Sequence, residues 1–171
     1  GDTIGLLSEL IRQGAQGAVL AIINDAESAA ACHGAGEGAQ VNLALGGKSD
    51  STPLPLRATV EKLADGKFVC TGPMGAGNPA DLGLTALVRV GDGVRVIVTS
   101  RKMQALDQAL LRHVGIEPAE QKIVALKSSV HFRADFQPIA EAVIVAVAPG
   151  PVTADPSVFP FQHVRKGVRL K

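Results

Sequence analysis

One stretch gathers most of the side chains able to do chemistry: Ile123-Val124-Ala125-Leu126-Lys127-Ser128-Ser129-Val130-His131-Phe132-Arg133-Ala134-Asp135-Phe136. An aliphatic, β-branched run ends at Lys127, a serine pair follows, and the polar residues beyond recur at helical spacing, so the pattern predicts strand, turn, helix. With Ser128 or Ser129 as cap, the free N–H groups of the first turn, Lys127 and Arg133 would converge on a spot suited to a negatively charged group. His131 would stand in that turn, where the positive end of the helix dipole favours neutral imidazole, the form that accepts protons or binds metals. Asp135, four residues on, would share its face and could hold the ring. His131 is therefore the candidate catalytic residue, and Lys127, Ser128, Ser129 and Arg133 are candidate substrate-binding residues. The competing reading is ordinary strand-to-helix chemistry with solvated cations.

The elements that must position this stretch read as follows. Residues 3–13 carry Ile4, Leu7, Leu10 and Ile11 at helical spacing, with Asp2 or Thr3 as cap and Gly14 as stop. Residues 18–23 form a continuous apolar run expected as a strand buried on both faces, and Asn24-Asp25 caps an alanine-rich helix through Ala31. Val41 to Leu45 alternates and ends at Gly46-Gly47-Lys48, which reads as a tight turn rather than an anion cradle, the full phosphate-loop pattern being absent. Residues 56–63 and 68–71 predict a hairpin around Asp65-Gly66, and 85–90 with 94–99 predict a second around Gly91-Asp92-Gly93. Arg101 closes the latter at a strand end and is a candidate clamp for a substrate carboxylate, with surface solvation as the alternative. Residues 104–114 predict an amphipathic helix ended by Gly115, with His113 bonded to its carbonyl end in a structural role. A last buried strand is expected over 142–148. The fold class that follows is α/β: a mixed sheet with β-hairpins flanked by helices, in one domain over residues 1–150, with 151–171 as an extended proline-containing tail packed on it.

Bulk composition narrows the function classes. Of 171 residues 46% are hydrophobic but only 3% aromatic, with no Trp or Tyr, so the core must be aliphatic and base stacking on nucleic acid is nearly excluded. Seventeen basic against sixteen acidic residues leave a net charge of +1, which offers no general pull toward nucleic acid or anionic lipid. Residues 165–171 are locally basic and read as a short solvated tail. Cys32 and Cys70 are far apart and read as free thiols in a reducing compartment. No apolar run reaches the roughly 18 residues of a membrane helix and no signal-peptide pattern is present, so a cytoplasmic location is expected. The chain opens at Gly1-Asp2-Thr3 without Met, as expected for a piece of something longer.

Familiar catalytic signatures are missing. The four histidines, at 33, 113, 131 and 163, lie in unrelated segments without H-E-x-x-H, and neither G-x-S-x-G nor G-x-G-x-x-G after a strand occurs. No metal site is expected on this chain.

A set of ordered motifs nonetheless resembles the C-terminal domain of the microcystinase C (MlrC) type of zinc metallopeptidase. They are Gly1-Asp2-Thr3 with Leu6-Leu7, Leu45-Gly46-Gly47-Lys48, Gly66-Lys67-Phe68-Val69 with Thr71-Gly72-Pro73-Met74, Asp81-Leu82-Gly83, Val98-Thr99-Ser100-Arg101, Asp107, His113-Val114-Gly115-Ile116 and Leu126 to Arg133. The resemblance implies a two-part enzyme whose N-terminal region supplies zinc ligands from Asp, Glu and His, and a reaction in which zinc-activated water attacks a peptide or amide carbonyl. It transfers no zinc ligand to any position here. The partners it implies are the N-terminal metal-binding region of the same polypeptide and a peptide or amide substrate, with a homo-oligomer also open. Two functions follow: a domain that completes a shared active site through His131, or a structural or dimerisation module in which the same motif only holds its own loop together.

Overall fold

The apolar run at residues 18–23 becomes the centre of the molecule. The structure is a computed structural model that describes residues 2–49, 52–147, 157 and 159–169. In chain order it contains α1 (Gly5–Arg12), β1 (Ala18–Asn24), α2 (Ala26–Ala35), β2 (Gln40–Leu45), β3 (Leu54–Ala64), β4 (Lys67–Val69), β5 (Pro79–Asp81), β6 (Thr85–Val90), β7 (Val94–Thr99), α3 (Ala109–Arg112), β8 (Ile123–Leu126) and α4 (Arg133–Phe136). Six strands form one mixed sheet in the order β2-β3-β6-β7-β1-β8, and β4 with β5 forms a small second sheet. β1 is parallel to β7 and β8, while the β2–β3, β3–β6 and β6–β7 pairings are antiparallel. Six consecutive residues of β1 are buried, as a central strand covered on both faces requires.

Strand alternation sends side chains into two layers. On one face Leu20, Ile23, Val88, Val96 and Val98 meet Leu7 of α1 and Ala29 and Cys32 of α2. On the other, Val19, Ala21, Ile22, Leu87 and Ile97 meet Leu110, Leu111, Val114, Ile116 and Phe136. β1 carries one extra residue against β7: Ala21 stands opposite Ile97 and Ile23 opposite Val98. That bulge lets both Ala21 and Ile22 enter the second layer before Ile23 returns to the first. Phe136 is the single aromatic among the buried apolar residues, so the core is aliphatic as expected. Each fully buried leucine or isoleucine contributes about 1.5–3 kcal/mol.

The α/β class, the flanking helices and the β6–β7 hairpin, with Val90 opposite Val94, match the sequence reading. The other expected hairpin does not form. β3 is occupied on both edges by β2 and β6, and β4 turns away to pair with β5. Gly66, at φ +74°, makes the turn, and a Cβ there would lie 2.2 Å from the Gly83 carbonyl oxygen, so only glycine fits this crossing. The helix expected over 104–114 shrinks to α3, because buried Asp107 accepts the Ala109 N–H at 2.9 Å and holds the chain before it in irregular backbone.

The cap readings divide. Asp25 caps α2 through the Ser28 N–H as expected, and the helix runs on past Ala31 to Ala35. α1 has Ile4 at its N-cap with no side-chain bond, while Asp2 accepts from the backbone N–H of Ser49 at 2.9 Å and from its hydroxyl. Residues 142–147 form no strand, and Ile144 and Val147 are 88% and 95% exposed. The end of that expected strand at Ala148, and tail residues 149–156, 158, 170 and 171, lie outside the described residues. The described tail, 159–169, is exposed, with the Phe159 and Phe161 rings tilted at 5.7 Å.

Asp25 shows why Gly46-Gly47-Lys48 is a turn rather than an anion cradle. Its buried carboxylate accepts from Ser28 Oγ (2.7 Å), Gly46 N–H (2.9 Å) and Lys48 Nζ (2.7 Å), so the donors already serve an internal anion. Burial pushes this carboxyl up, but the Lys48 ammonium, the Gly46 N–H and Ser28 outweigh it and hold it below the usual carboxylate value.

Candidate functional site

β7, β1 and β8 run parallel, so their carboxyl ends reach one edge of the sheet, the edge where open α/β sheets place ligands. The chain leaves β7 through Ser100 and Arg101 and leaves β8 through Lys127 and Ser128. Gln104 ties the two exits together. Its Nε2 donates to Ser128 Oγ at 3.0 Å, and its Oε1 lies 2.9 Å from Nδ1 of His131. An amide oxygen has no proton to give, so Nδ1 donates, and in the tautomer that goes with this bond the lone pair is on Nε2. His131 is exposed, and Nε2 makes no hydrogen bond among the described residues.

The helix cap inferred at Ser128 or Ser129 is not formed. α4 is four residues long, begins at Arg133, and has Phe132 at its N-cap with no side-chain bond. The Ser128 hydroxyl is engaged by Gln104, and Phe136, buried in the second core layer, sets where the turn of helix sits. The cations consequently do not gather around a helix N-terminus. Lys127 donates from Nζ to the Thr3 carbonyl at 2.7 Å, bridging to the N-terminal segment. Arg133 lies over the Phe132 ring, 5.3 Å from its centroid, and donates to Gln137 Oε1 at 3.2 Å. Arg101 pairs with the Asp81 carboxylate, which also accepts the Gly83 N–H at 2.8 Å. Ser129 is exposed. The fold thus brings His131 and Ser128 together through Gln104 and gives Lys127, Arg133 and Arg101 a separate partner each.

Asp135 does not hold His131. It turns to Gln108 instead, accepting the backbone N–H at 2.6 Å and Nε2 at 3.2 Å, while Gln108 Nε2 also reaches the Asp135 carbonyl at 2.7 Å. Beside it Asp107, fully buried, accepts from Gly72 N–H (2.8 Å) and Ala109 N–H (2.9 Å). Burial pushes the Asp107 carboxyl up, but the N–H groups of Ala109, Gly72 and Thr71 bring it below the usual carboxylate value. A Cβ on Gly72 would sit 2.7 Å from Asp135 Oδ2 and 3.2 Å from Asp107 Oδ2, so the two carboxylates close on a glycine. This clasp joins the 70–75 loop, the segment carrying Gln104, and α4. Two of its members, Gly72 and Asp107, belong to the motifs behind the family resemblance. Gln104 and Gln108 carried no sequence signal, since their partners lie 24 and 27 positions away.

Cys32, Cys70 and His113 serve the fold. Burial and the Asp25 charge push the Cys32 thiol up to about 11, and burial with Asp107 nearby raises Cys70, so neither is a thiolate nucleophile. Both cysteines are buried and unbridged. His113 takes the expected structural role: Nδ1 donates to the Leu110 carbonyl and the ring stacks on Phe68 at 4.8 Å. Among the described residues no group of three or more His, Cys, Asp or Glu is placed to hold a metal. A groove of about 290 Å³ between α1 and β8, lined by Leu6, Leu10, Ala15 and Ile123, does not include His131. No helix among the described residues is long and apolar enough to cross a membrane.

Comparison with known proteins agrees with this architecture. Microcystinase C from a Sphingomonas species is 32% identical over 113 residues, covering 64% of this chain and 21% of that protein. The crystal structure named "Putative metallopeptidase" from Mesorhizobium sp. BNC1 superposes with a TM-score of 0.83 at 32% identity, covering 96% of this chain and 33% of that one. The chain therefore spans about a fifth to a third of the length of these relatives. The profile of the family described as MlrC C-terminus matches residues 1–163, and the chain belongs to that family.

Proposed function

We propose that this chain is the C-terminal domain of a zinc-dependent peptidase or amidohydrolase of the microcystinase C type, completing a substrate site with a preceding region of the polypeptide that binds the metal. Family membership and the likeness to the structure named "Putative metallopeptidase", about three times the length, support the reading. The side chains described here do not fit a metal, since no group of three ligands is gathered among them, and no step through a metal is assigned to this domain; on this proposal the zinc lies on the preceding region.

This domain's own contribution centres on His131. The observation that carries the reading is an exposed imidazole steered by Gln104 at a strand-end edge, with Nε2 left open. Such a ring accepts a proton at Nε2 and, once cationic, donates from the same atom to a developing oxyanion or leaving amine. Ser129 offers its hydroxyl to the substrate backbone, and Ser128, whose oxygen accepts from Gln104, keeps its O–H proton to donate. Arg101, Arg133 and Lys127 offer cations for a substrate carboxylate, although each now has an internal partner. The same reading assigns the protein to the cytoplasm, where buried thiols such as Cys32 and Cys70 stay reduced.

The second reading is a structural or dimerisation module, and it draws on those internal partners: Lys127 on Thr3 and Arg133 on Gln137 hold the motif's own loop. Metal analysis and peptidase assay of the longer polypeptide beside the 171-residue chain test the main proposal. Metal and hydrolysis are expected only in the longer protein; stoichiometric tight zinc on the shorter one would overturn it.

A further inference from the structure

Beyond α4 the chain passes through a 3-10 turn, Gln137–Ile139, into Ala142-Val143-Ile144-Val145-Ala146-Val147. Six consecutive residues contain no glycine, proline or charge and four are β-branched, the composition of a strand buried on both faces. Yet Ile144, Val145 and Val147 are 88%, 73% and 95% exposed. In extended chain, neighbours point to opposite sides, so exposure at both Ile144 and Val145 leaves both faces uncovered. A segment resting on this domain's own surface would hide one parity. Val130 and Ile139, which flank His131 in sequence, are also exposed, at 59% and 39%.

We propose that Ala142–Val147 is the strand by which this domain joins the preceding region of its polypeptide, entering a sheet of that region and drawing the His131 loop against it. The inference rests on the reading of the chain as one part of a longer enzyme. The partner is argued from length: the solved relative superposes on 96% of this chain, which is only 33% of its own, leaving about two thirds of that polypeptide to supply the missing layers. The domain's own sheet cannot serve from within, because its two faces are already covered by α1 and α2 on one side and by residues 105–116 and Phe136 on the other. Main-chain pairing supplies affinity in such strand addition, and the apolar side chains on both faces supply its burial. Two charges placed on such a strand cannot be buried without partners.

Amide hydrogen exchange over residues 142–147 tests this, measured in the 171-residue chain at two concentrations and in the longer polypeptide. Exchange is expected to be fast in the former at both concentrations and slowed by roughly a hundredfold or more in the latter. Ile144→Asp with Val147→Asp in the longer protein should restore fast exchange there while amides of β1 and β7 stay protected. Fast exchange in the unmodified longer protein would overturn the proposal. So would protection in the 171-residue chain: concentration-dependent protection assigns the strand to a second copy, and concentration-independent protection to this domain's own surface, such as an edge strand of its sheet, β2 or β8. Metal content and peptide hydrolysis, read on the same samples, separate the two claims, since protection without hydrolysis keeps the docking strand and removes the enzymatic reading.

Discussion

Gln104 steers His131: its amide oxygen lies 2.9 Å from the ring Nδ1 while its amide nitrogen donates to Ser128 at 3.0 Å. The pair comes from two loops, one leaving β7 and one leaving β8, so the orientation of the ring depends on both.

Gln104→Leu in the longer polypeptide should lower kcat roughly tenfold, the scale of losing a group that orients an active histidine, with little change in stability. Gln104→Glu should keep the acceptor and, by adding a charge beside the ring, move the acid limb of the pH–kcat/KM profile to higher pH. A profile and rate unchanged in both variants would remove Gln104 from the site.

The clasp under α4 should be sensitive to a single methyl group. Gly72→Ala places a Cβ 2.7 Å from Asp135 Oδ2, and urea unfolding should show a loss of about 1–3 kcal/mol. Asp107→Ala orphans the Gly72 and Ala109 N–H groups and should cost about 3 kcal/mol. Wild-type stability in either variant would mean that the clasp holds nothing.

Asp25→Ala should be as damaging, about 3 kcal/mol, because it strips Gly46 N–H, Ser28 and Lys48 of a buried acceptor. Asp25 and Asp107 both titrate below their unfolded values, so the stability they carry is complete above the unfolded carboxylate value of 3.8 and is lost as pH falls through their folded values. Urea midpoints taken from pH 6 down to pH 2 should drop steeply below pH 4 in the wild type and less so in Asp25→Ala.

His113 governs a different window. Burial lowers its ring below the ordinary 6.5, although hydrogen bonding to the Leu110 carbonyl opposes this, and Nε2 is buried with no partner among the described residues. The unfolded chain therefore takes up the proton first, and the contribution of His113 is complete above pH 6.5 and declines as pH falls below it. His113→Phe keeps a ring against Phe68 and should flatten the stability profile between pH 7 and pH 5. An equally sloped profile in the variant would exclude His113 as its source.

Local features were legible in the sequence. The buried run of β1, the β6–β7 hairpin around Gly91-Asp92-Gly93 and the Asp25 cap each rest on residues a few positions apart, where periodicity and capping rules act. The site was legible only in part. His131 and Ser128 could be singled out as residue types, but Gln104, which joins them, and Gln108, which takes Asp135 away from the ring, act across 24 and 27 positions. The serines were misread as a cap because their spacing suits one, whereas Ser128 is already committed to Gln104 and Phe136 anchors α4 further along. Residues 142–147 have a strand's composition without strand partners among the described residues, and no reading of composition reveals which sheet a segment joins.

His131 is proposed to act on substrate rather than to hold its own loop. Replacing His131 by Ala in the longer polypeptide, with kcat, bound metal and Tm read on one preparation, tests it most directly. If His131 meets the substrate, kcat falls roughly a hundredfold or more while metal content and Tm stay at wild-type values. A wild-type kcat accompanied by a lower Tm would contradict it and leave the domain a structural module.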